Sequence, residues 1–315
     1  MIGWLFLFQM AIVSVHRNIS RSFAYRVAIK SLQMQSKIFI FILTLFANTA
    51  FAQSALDQAN DAYNKGSYEV ALSNADIAVQ QHTSPEALMC RANCFQKLGE
   101  FSKALDDYDK AKSKGYSRDD LHLNRGICKI SMSLFEAAKV DLITYLQRNE
   151  DDPKVYYWLA TAEYMMMESR ASLRYLDEAI YYDSTYSEAY YLRAANYAEQ
   201  NKMNLAMEEF QMAYQLNPTM HRAKMNMAVI LLGMGQNRNA IEMLSELKLE
   251  NIDFTSEVLY YRGEALYNMH DMEGACGDWV EAAEMGDNDA EYNYRKLCID
   301  KNDKPRFKRR TYFQF

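Results

Sequence analysis

Four arginines in the sequence each have an acid sixteen residues downstream: Arg91 with Asp107, Arg125 with Asp141, Arg193 with Glu209, and Arg262 with Asp278. A guanidinium held opposite a carboxylate can form a charge-assisted, often bidentate, pair of hydrogen bonds. Arginines repeated in this way could instead line up to grip an anionic ligand. The two positions change together elsewhere in the chain, as Leu159 with Tyr175, Met227 with Met243, and Gln58 with Asn74. Joint exchange makes a touching pair the expectation and the anion-gripping row the alternative. Chemistry beyond pairing has little support. There is no glycine-rich phosphate loop, H-E-x-x-H motif or nucleophile elbow. The histidines His16, His82, His122, His221 and His270 are scattered. Cys90 and Cys94 lie four apart on one helix, but no second pair accompanies them, so buried core residues are expected rather than metal ligands. No catalytic residue, metal or cofactor is predicted.

The elements that must hold these pairs are clearest in residues 187–218, SEAYYLRAANYAEQNKMNLAMEEFQMAYQLNP. The stretch reads as two short amphipathic helices. Ala194, Ala206 and Ala213 are small, Tyr197 and Phe210 are large, and Pro218 stops the second helix. Side chains at a helix crossing set the interaxial distance, so small residues belong where two helices approach closely. The pattern resembles the tetratricopeptide repeat (TPR), a 34-residue helix–turn–helix unit. With Ser187 as position 1, small residues fall at positions 8, 20 and 27, aromatics at 11 and 24, and proline at 32.

The same spacing recurs along the chain. Units start near 53, 85, 119, 153, 187, 221 and 256, and the five starts from 85 to 221 keep a strict 34-residue step. One unit cannot bury its own apolar face, and stacked neighbours can. The resemblance implies an all-α, right-handed superhelical TPR solenoid of seven units over 53–288, closed by a capping helix over 289–300. The last segment, GACGDWVEAAEMGDNDAEYNYRKLC, resembles the Sel1-like closing unit of exported bacterial TPR proteins. That likeness implies a disulfide between Cys276 and Cys298, with free buried thiols as the alternative.

In this family the first helix of each unit presents positions 2, 5, 9 and 12 to the concave face. The resemblance therefore implies a partner-binding groove containing Tyr157, Tyr164, Tyr191, Met225, Tyr260 and Tyr267. Leu123, Ile127, Ile130 and Leu232 occupy equivalent positions, and Glu188, Glu257 and Glu264 add acid. Tyrosine and methionine suit such a surface, since they bury area and tyrosine keeps a polar handle. The competing reading is that some of these side chains only fill space between neighbouring helices. A peptide with apolar anchors and some basic residues fits the groove. The carboxylate-clamp variant of the family does not: Asn124 and Asn226 take its asparagine position, but they are three units apart and its lysines are missing.

Half the residues are apolar, with 23 Tyr and 15 Phe but only 11 Gly and 4 Pro, which favours helices over disorder or sheet. The run Ile38–Phe46 follows Lys37 and precedes Ala50-Phe51-Ala52, the order of a secretory signal peptide over 34–52 cleaved before Gln53. The apolar run is short for a membrane span. Residues 1–33 read as an upstream extension with Met34 as the start, and a membrane-anchored N-terminus is the competing reading. Without 1–52 the chain has 30 basic and 41 acidic residues, a net −11. The segment 301–315 carries six bases against one acid and reads as a basic, flexible tail. The body between is then −16, which argues against nucleic acid as a partner. Membrane contact, if any, falls to the tail. The expectation is a non-enzymatic scaffold for a protein or peptide partner in the periplasm or envelope of a Gram-negative bacterium. The alternative is an accessory or regulatory subunit of an envelope enzyme or secretion complex.

Overall fold

The computed structural model describes residues 23–250 and 252–299. The expected extension over 1–33 lies partly, and the tail over 301–315 wholly, outside them. All described regular structure is helical, arranged as seven successive antiparallel pairs. These are α1 (Phe23–Asn64) with α2 (Tyr68–Gln81), and α3 (Pro85–Lys97) with α4 (Phe101–Ser113). Next come α5 (Asp120–Ser131) with α6 (Phe135–Leu146), and α7 (Pro153–Met165) with α8 (Ser169–Tyr182). Then follow α9 (Ser187–Glu199) with α10 (Met203–Leu216), α11 (His221–Gly233) with α12 (Asn237–Leu249), and α13 (Thr255–Asn268) with α14 (Met272–Glu284). A short helix α15 (Asn288–Asn293) and a π-helical turn (Tyr294–Ile299) close the series. The chain divides into two compact units, Met1–Ser117 with α1–α4 and Arg118–Phe315 with α5–α15. The architecture is an all-α TPR solenoid.

Local chemistry accounts for the pairs. Pro85 and Pro153 open α3 and α7, where the missing N–H costs nothing, after Ser84 and Asp152 whose side chains accept from the Ala87 and Lys154 amides. Within each pair the turn ends in one recurrent geometry. The amide at position 16 donates to the carbonyl at position 11 at 2.8–2.9 Å, from Ser67→Ala62 through Asp271→Leu266. This six-to-one bond needs a left-handed residue just before it. That residue is Gly66, Gly99 and Gly235 in three pairs, with φ of 76–78°. In the other four it is Ser133, Met167, Asn201 and His270, with φ of 59–67°. The sequence does not disclose these four turns, because glycine, the usual marker of positive φ, is absent from them.

The small residues lie where the helices cross. Ala92, Ala104, Ala111, Ala194, Ala206 and Ala213 have at most 0% of their surface exposed, as have Ala228, Ala240, Ala275 and Ala282. Where position 8 is glycine the approach is closer still. A Cβ on Gly263 would sit 2.6 Å from Trp279 Nε1, and one on Gly126 would sit 2.8 Å from Leu142 Cδ2. Trp279 is fully buried and donates to the Tyr260 carbonyl at 3.3 Å. At the C-terminal end, Asp287 caps α15 by accepting from the Asp289 and Ala290 amides. Cys276 on α14 is bonded to Cys298 in the π-helical turn, with Cα atoms 5.9 Å apart. Ala290 and Leu297 complete the core that contains Trp279.

The N-terminal boundary differs from expectation in one respect. Residues 23–52 and the first helix of the first pair form a single helix of 42 residues, so position 53 lies inside α1. Ala50-Phe51-Ala52-Gln53-Ser54-Ala55 contains neither glycine nor proline to interrupt it. Ile38, Phe39, Ile40 and Ile42 on this helix are exposed. Among the described residues no helix is long and apolar enough to cross a membrane.

A non-glycine residue in the left-handed region costs roughly 1–2 kcal/mol. Met167 is exposed and touches no core, so Met167→Gly is expected to raise stability by about 1 kcal/mol, with Asn201→Gly gaining less because asparagine tolerates this region. Urea unfolding midpoints of the two variants measure this, and equal or lowered stability for Met167→Gly would contradict the assignment of strain to that turn.

Candidate functional site

Each arginine fork joins the two helices of one pair. Arg91 donates from Nε and Nη2 to Asp107 at 2.6 and 2.9 Å. Arg125 does the same to Asp141 at 2.8 and 2.5 Å. Arg193 reaches Glu209 at 2.9–3.0 Å, and Arg262 reaches Asp278 at 2.7 and 2.6 Å. The three aspartates are buried, so the guanidiniums are what makes their ionised form tolerable there. Hydrogen bonding to Asp107 and to Asp278 raises the pKa of Arg91 and of Arg262 and keeps both charged.

Three of the forks also reach back one pair. Arg91 Nη1 donates to Asp76 at 2.9 Å, Arg193 Nη1 to Asp177 at 2.9 Å, and Arg262 Nη1 to Ser245 Oγ at 3.2 Å. These second acceptors escaped the sequence reading. Their signal was present as a polar residue at position 25 of the preceding unit. Asp141 has two further partners, the His122 ring at 3.1 Å and the Lys129 ammonium at 2.6 Å. Burial opposes its ionisation, but the hydrogen bonds from Arg125, Lys129 and His122 outweigh burial and hold its pKa below the usual carboxylate range. Lys139 similarly pairs with the buried Glu163 at 2.8 Å. The forks are therefore satisfied within the protein.

Cys90 and Cys94 are buried thiols of the first unit. No group of three or more His, Cys, Asp and Glu side chains poised for a metal is found among the described residues.

The first helices of the unit 118–315 form the other candidate. Here α5 touches α7, α7 touches α9 and α11 touches α13, whereas the second helices of successive pairs make no comparable contact. The first helices thus lie on the inside of this unit's curve. Three side-chain bonds cross that face at a common spacing of 35 residues. Tyr164 donates to Glu199 Oε1 at 2.5 Å, Asn226 donates to the Tyr191 hydroxyl at 3.1 Å, and Arg222 pairs with Glu257 at 2.8 Å. Tyr157 lies against Trp158 and Tyr186, with centroids 5.3 and 5.4 Å away. Tyr191 meets Phe210 edge to face at 5.3 Å. Tyr157, Tyr164, Tyr191 and Tyr267 are each half-buried and present part of a ring to the surface. Burial is the main cause that raises the phenol pKa of Tyr157, Tyr164 and Tyr191, so these rings are neutral.

Two expected groove residues are not on this surface. Met225 is 4% exposed and Tyr260 is fully buried. Leu232 and Ile130 are buried as well. Met225, Leu232 and Tyr260 share one core cluster, against which Ile252 and Phe254 pack from the connection before α13. That connection carries the one-residue insertion, and Arg222 lies over the Phe254 ring at 4.0 Å. The added cover turns positions that would line a groove into core. Glu264 is also buried, leaving Glu188 and Glu257 as the accessible acids of the predicted set.

Residues 56–118 match the tetratricopeptide repeat family. A tetratricopeptide repeat protein from Parabacteroides merdae superposes with a TM-score of 0.59 at 17% identity, over 76% of this chain and 94% of that one. YrrB, described as a TPR protein with an unusual peptide-binding site, gives 0.45 at 19% identity over 54% of this chain and 88% of its own. Pseudomonas aeruginosa PilF gives 0.49 at 13% identity, over 81% of this chain and the whole of that one. No curated protein matches the sequence. The Parabacteroides merdae likeness shows the fold, a TPR solenoid.

The Asp141 cluster yields a signed prediction. A carboxylate whose folded pKa is depressed contributes stability that is complete above its unfolded value, about 3.9, and is lost as pH falls through the folded value. Asp141→Asn leaves Arg125 and Lys129 with an uncompensated charge and is expected to cost about 3–5 kcal/mol at neutral pH. Its stability should also fall less steeply than that of the parent on acidification below about pH 4. Urea unfolding across that window tests both, and parallel pH curves would contradict the role given to Asp141.

Proposed function

We propose that the chain is a non-catalytic protein–protein interaction scaffold that takes a peptide or protein segment on the inner face of the unit 118–315. The observation that carries this reading is the file of half-buried tyrosines, Tyr157, Tyr164, Tyr191 and Tyr267, on first helices tied together by bonds at a common spacing. The Tyr164 and Tyr191 hydroxyls are held by Glu199 and Asn226, so these rings lose little freedom when a partner arrives. Glu188 and Glu257 add negative charge, which favours a segment with basic residues between apolar anchors. The forks hold the helices and take no part in capture, since their arginines are already matched by acids.

The proposed setting is the periplasm or envelope of a Gram-negative bacterium, reached through a signal peptide cleaved before Gln53. Two features support it. All five apolar side chains of Ile38–Ile42 on α1 lie exposed. The Cys276–Cys298 bond that fastens the closing helix suits an oxidising compartment. The closing element is read as a Sel1-like cap of an exported TPR protein.

One preparation tests both parts. The full chain is expressed in a Gram-negative host, recovered from the envelope fraction, and its mature N-terminus is read. It is then titrated with the best binder selected from a random peptide library. Gln53 is expected as the first residue, and Tyr157→Ala with Tyr191→Ala is expected to weaken the peptide at least about tenfold. Retention of Met1 or Met34 would overturn the export reading, and an unchanged affinity would move the binding site off this face.

A further inference from the structure

A second set of packed aromatics joins the first turn of α7 to the end of α8. Tyr181 is 80% exposed and Tyr182 is 41% exposed at the end of α8. Tyr182 stacks nearly parallel on Tyr156, with centroids 5.4 Å apart and planes 11° from each other. Tyr181 stands edge-on to Tyr182 at 5.2 Å. The Tyr156 hydroxyl donates to the Glu150 carbonyl at 2.8 Å, which fixes the base of the stack. Burial is the largest cause that raises its pKa to about 12. Glu150, whose carbonyl takes that bond, and Glu178, one helical turn before Tyr181 and Tyr182 on α8, place carboxylates near the rings. Neither Tyr181 nor Tyr182 is needed by the core, and large exposed aromatics that pack on one another mark a contact surface.

The chain shows what such a surface takes. Elsewhere its own cations lie over its aromatic rings: Arg193 over Tyr190, Lys202 over Tyr197, Lys224 over Tyr214, and Arg222 over Phe254. Among the described residues no cation lies over Tyr156, Tyr181 or Tyr182. Guanidinium suits the vacant rings best, because it is planar, weakly hydrated and able to stack while still donating to a carboxylate. The sequence contains one concentrated source of that chemistry. Residues 304–315, KPRFKRRTYFQF, hold Arg306, Arg309 and Arg310 with Lys304 and Lys308, interleaved with Phe307, Tyr312, Phe313 and Phe315. The segment has no acid, and it follows a body of net charge −16.

We propose that the Tyr156–Tyr181–Tyr182 platform binds the basic-aromatic segment 304–315 of this same sequence, with guanidinium groups laid on the exposed rings and paired to Glu150 and Glu178. The segment is that of the same molecule, which the chain itself keeps at high effective concentration beside its acidic body. This site is separate from the inner-face tyrosines, and its failure would leave that reading intact.

The test uses the full chain and a zero-length reagent that couples carboxylates to lysine amines. Coupling of Lys304 or Lys308 to Glu150 or Glu178 is expected by mass spectrometry. It is expected to fall at least about threefold in Tyr181→Ser with Tyr182→Ser, whose unfolding midpoint serves as a control for folding. Arg306→Gln with Arg309→Gln and Arg310→Gln should lower it equally. Mixing isotope-labelled and unlabelled chains checks the source: cross-links within one chain are expected, and predominantly hybrid cross-links would overturn the proposal. Coupling spread over unrelated carboxylates, or unaltered in both variants, would overturn the proposal.

Discussion

A guanidinium on the first helix of a pair, closed on a buried carboxylate of the second, is the interaction on which the rest of this structure depends. Two N–H groups must meet two oxygens in one plane, so the fork fixes the axial register of one helix against the other more sharply than apolar contact does. The small residues at positions 8, 20 and 27 bring the backbones close enough for the fork to close, and the fork in turn makes their burial worthwhile. The fork does not work alone. A buried aspartate without its arginine would be an unpaired charge, and a fork across bulky residues at the crossing would be out of reach. The reach of Arg91, Arg193 and Arg262 back to Asp76, Asp177 and Ser245 extends the same device from within a pair to between pairs.

The chain also shows how the device is replaced. In the fourth pair Leu159 is fully buried at the arginine position, and Tyr175 packs on the same cluster. Polar register is then carried by Ser172, which donates to the Ala160 carbonyl and accepts from Asn196 at 3.1 Å. In the sixth pair Met227 is buried in place of the arginine, with Met243 alongside. Removing both members together keeps the interior free of lone charges, which is why the two positions change as a unit.

The scaffold was legible in the sequence because its determinants repeat. Ala194, Ala206 and Ala213 gain meaning only when Ala92, Ala104 and Ala111 stand at the same spacing, and the arginine–acid pairs emerge from the same comparison. What repeats less faithfully was less legible. The left-handed turn is marked by Gly66, Gly99 and Gly235 but concealed under Ser133, Met167, Asn201 and His270, since the geometry is imposed by the two helices it joins. The exposure of the expected groove residues was less legible still. Tyr157 and Tyr191 keep a surface, whereas Met225 and Tyr260 lose theirs to a cluster that Ile252 and Phe254 pack against, an effect of a neighbouring connection that no position number encodes. The continuity of residues 23–52 with the first repeat helix was likewise invisible to a motif-based boundary. Signature residues thus explain why the helices stack, and the residues between them carry whatever distinguishes this scaffold from others of its fold.

The central claim is that the fork acts as a unit that sets helix register, and a double-mutant cycle on the second pair tests it most directly. Arg91→Met, Asp107→Met and the double variant, which recreates the Met–Met pair of the sixth unit, are compared with the parent by urea unfolding at neutral pH. The account predicts that each single change costs about 3–5 kcal/mol while the double costs much less than their sum, a coupling of at least about 2 kcal/mol. Losses that add to within about 0.5 kcal/mol would show that the two side chains act independently, and would contradict the account.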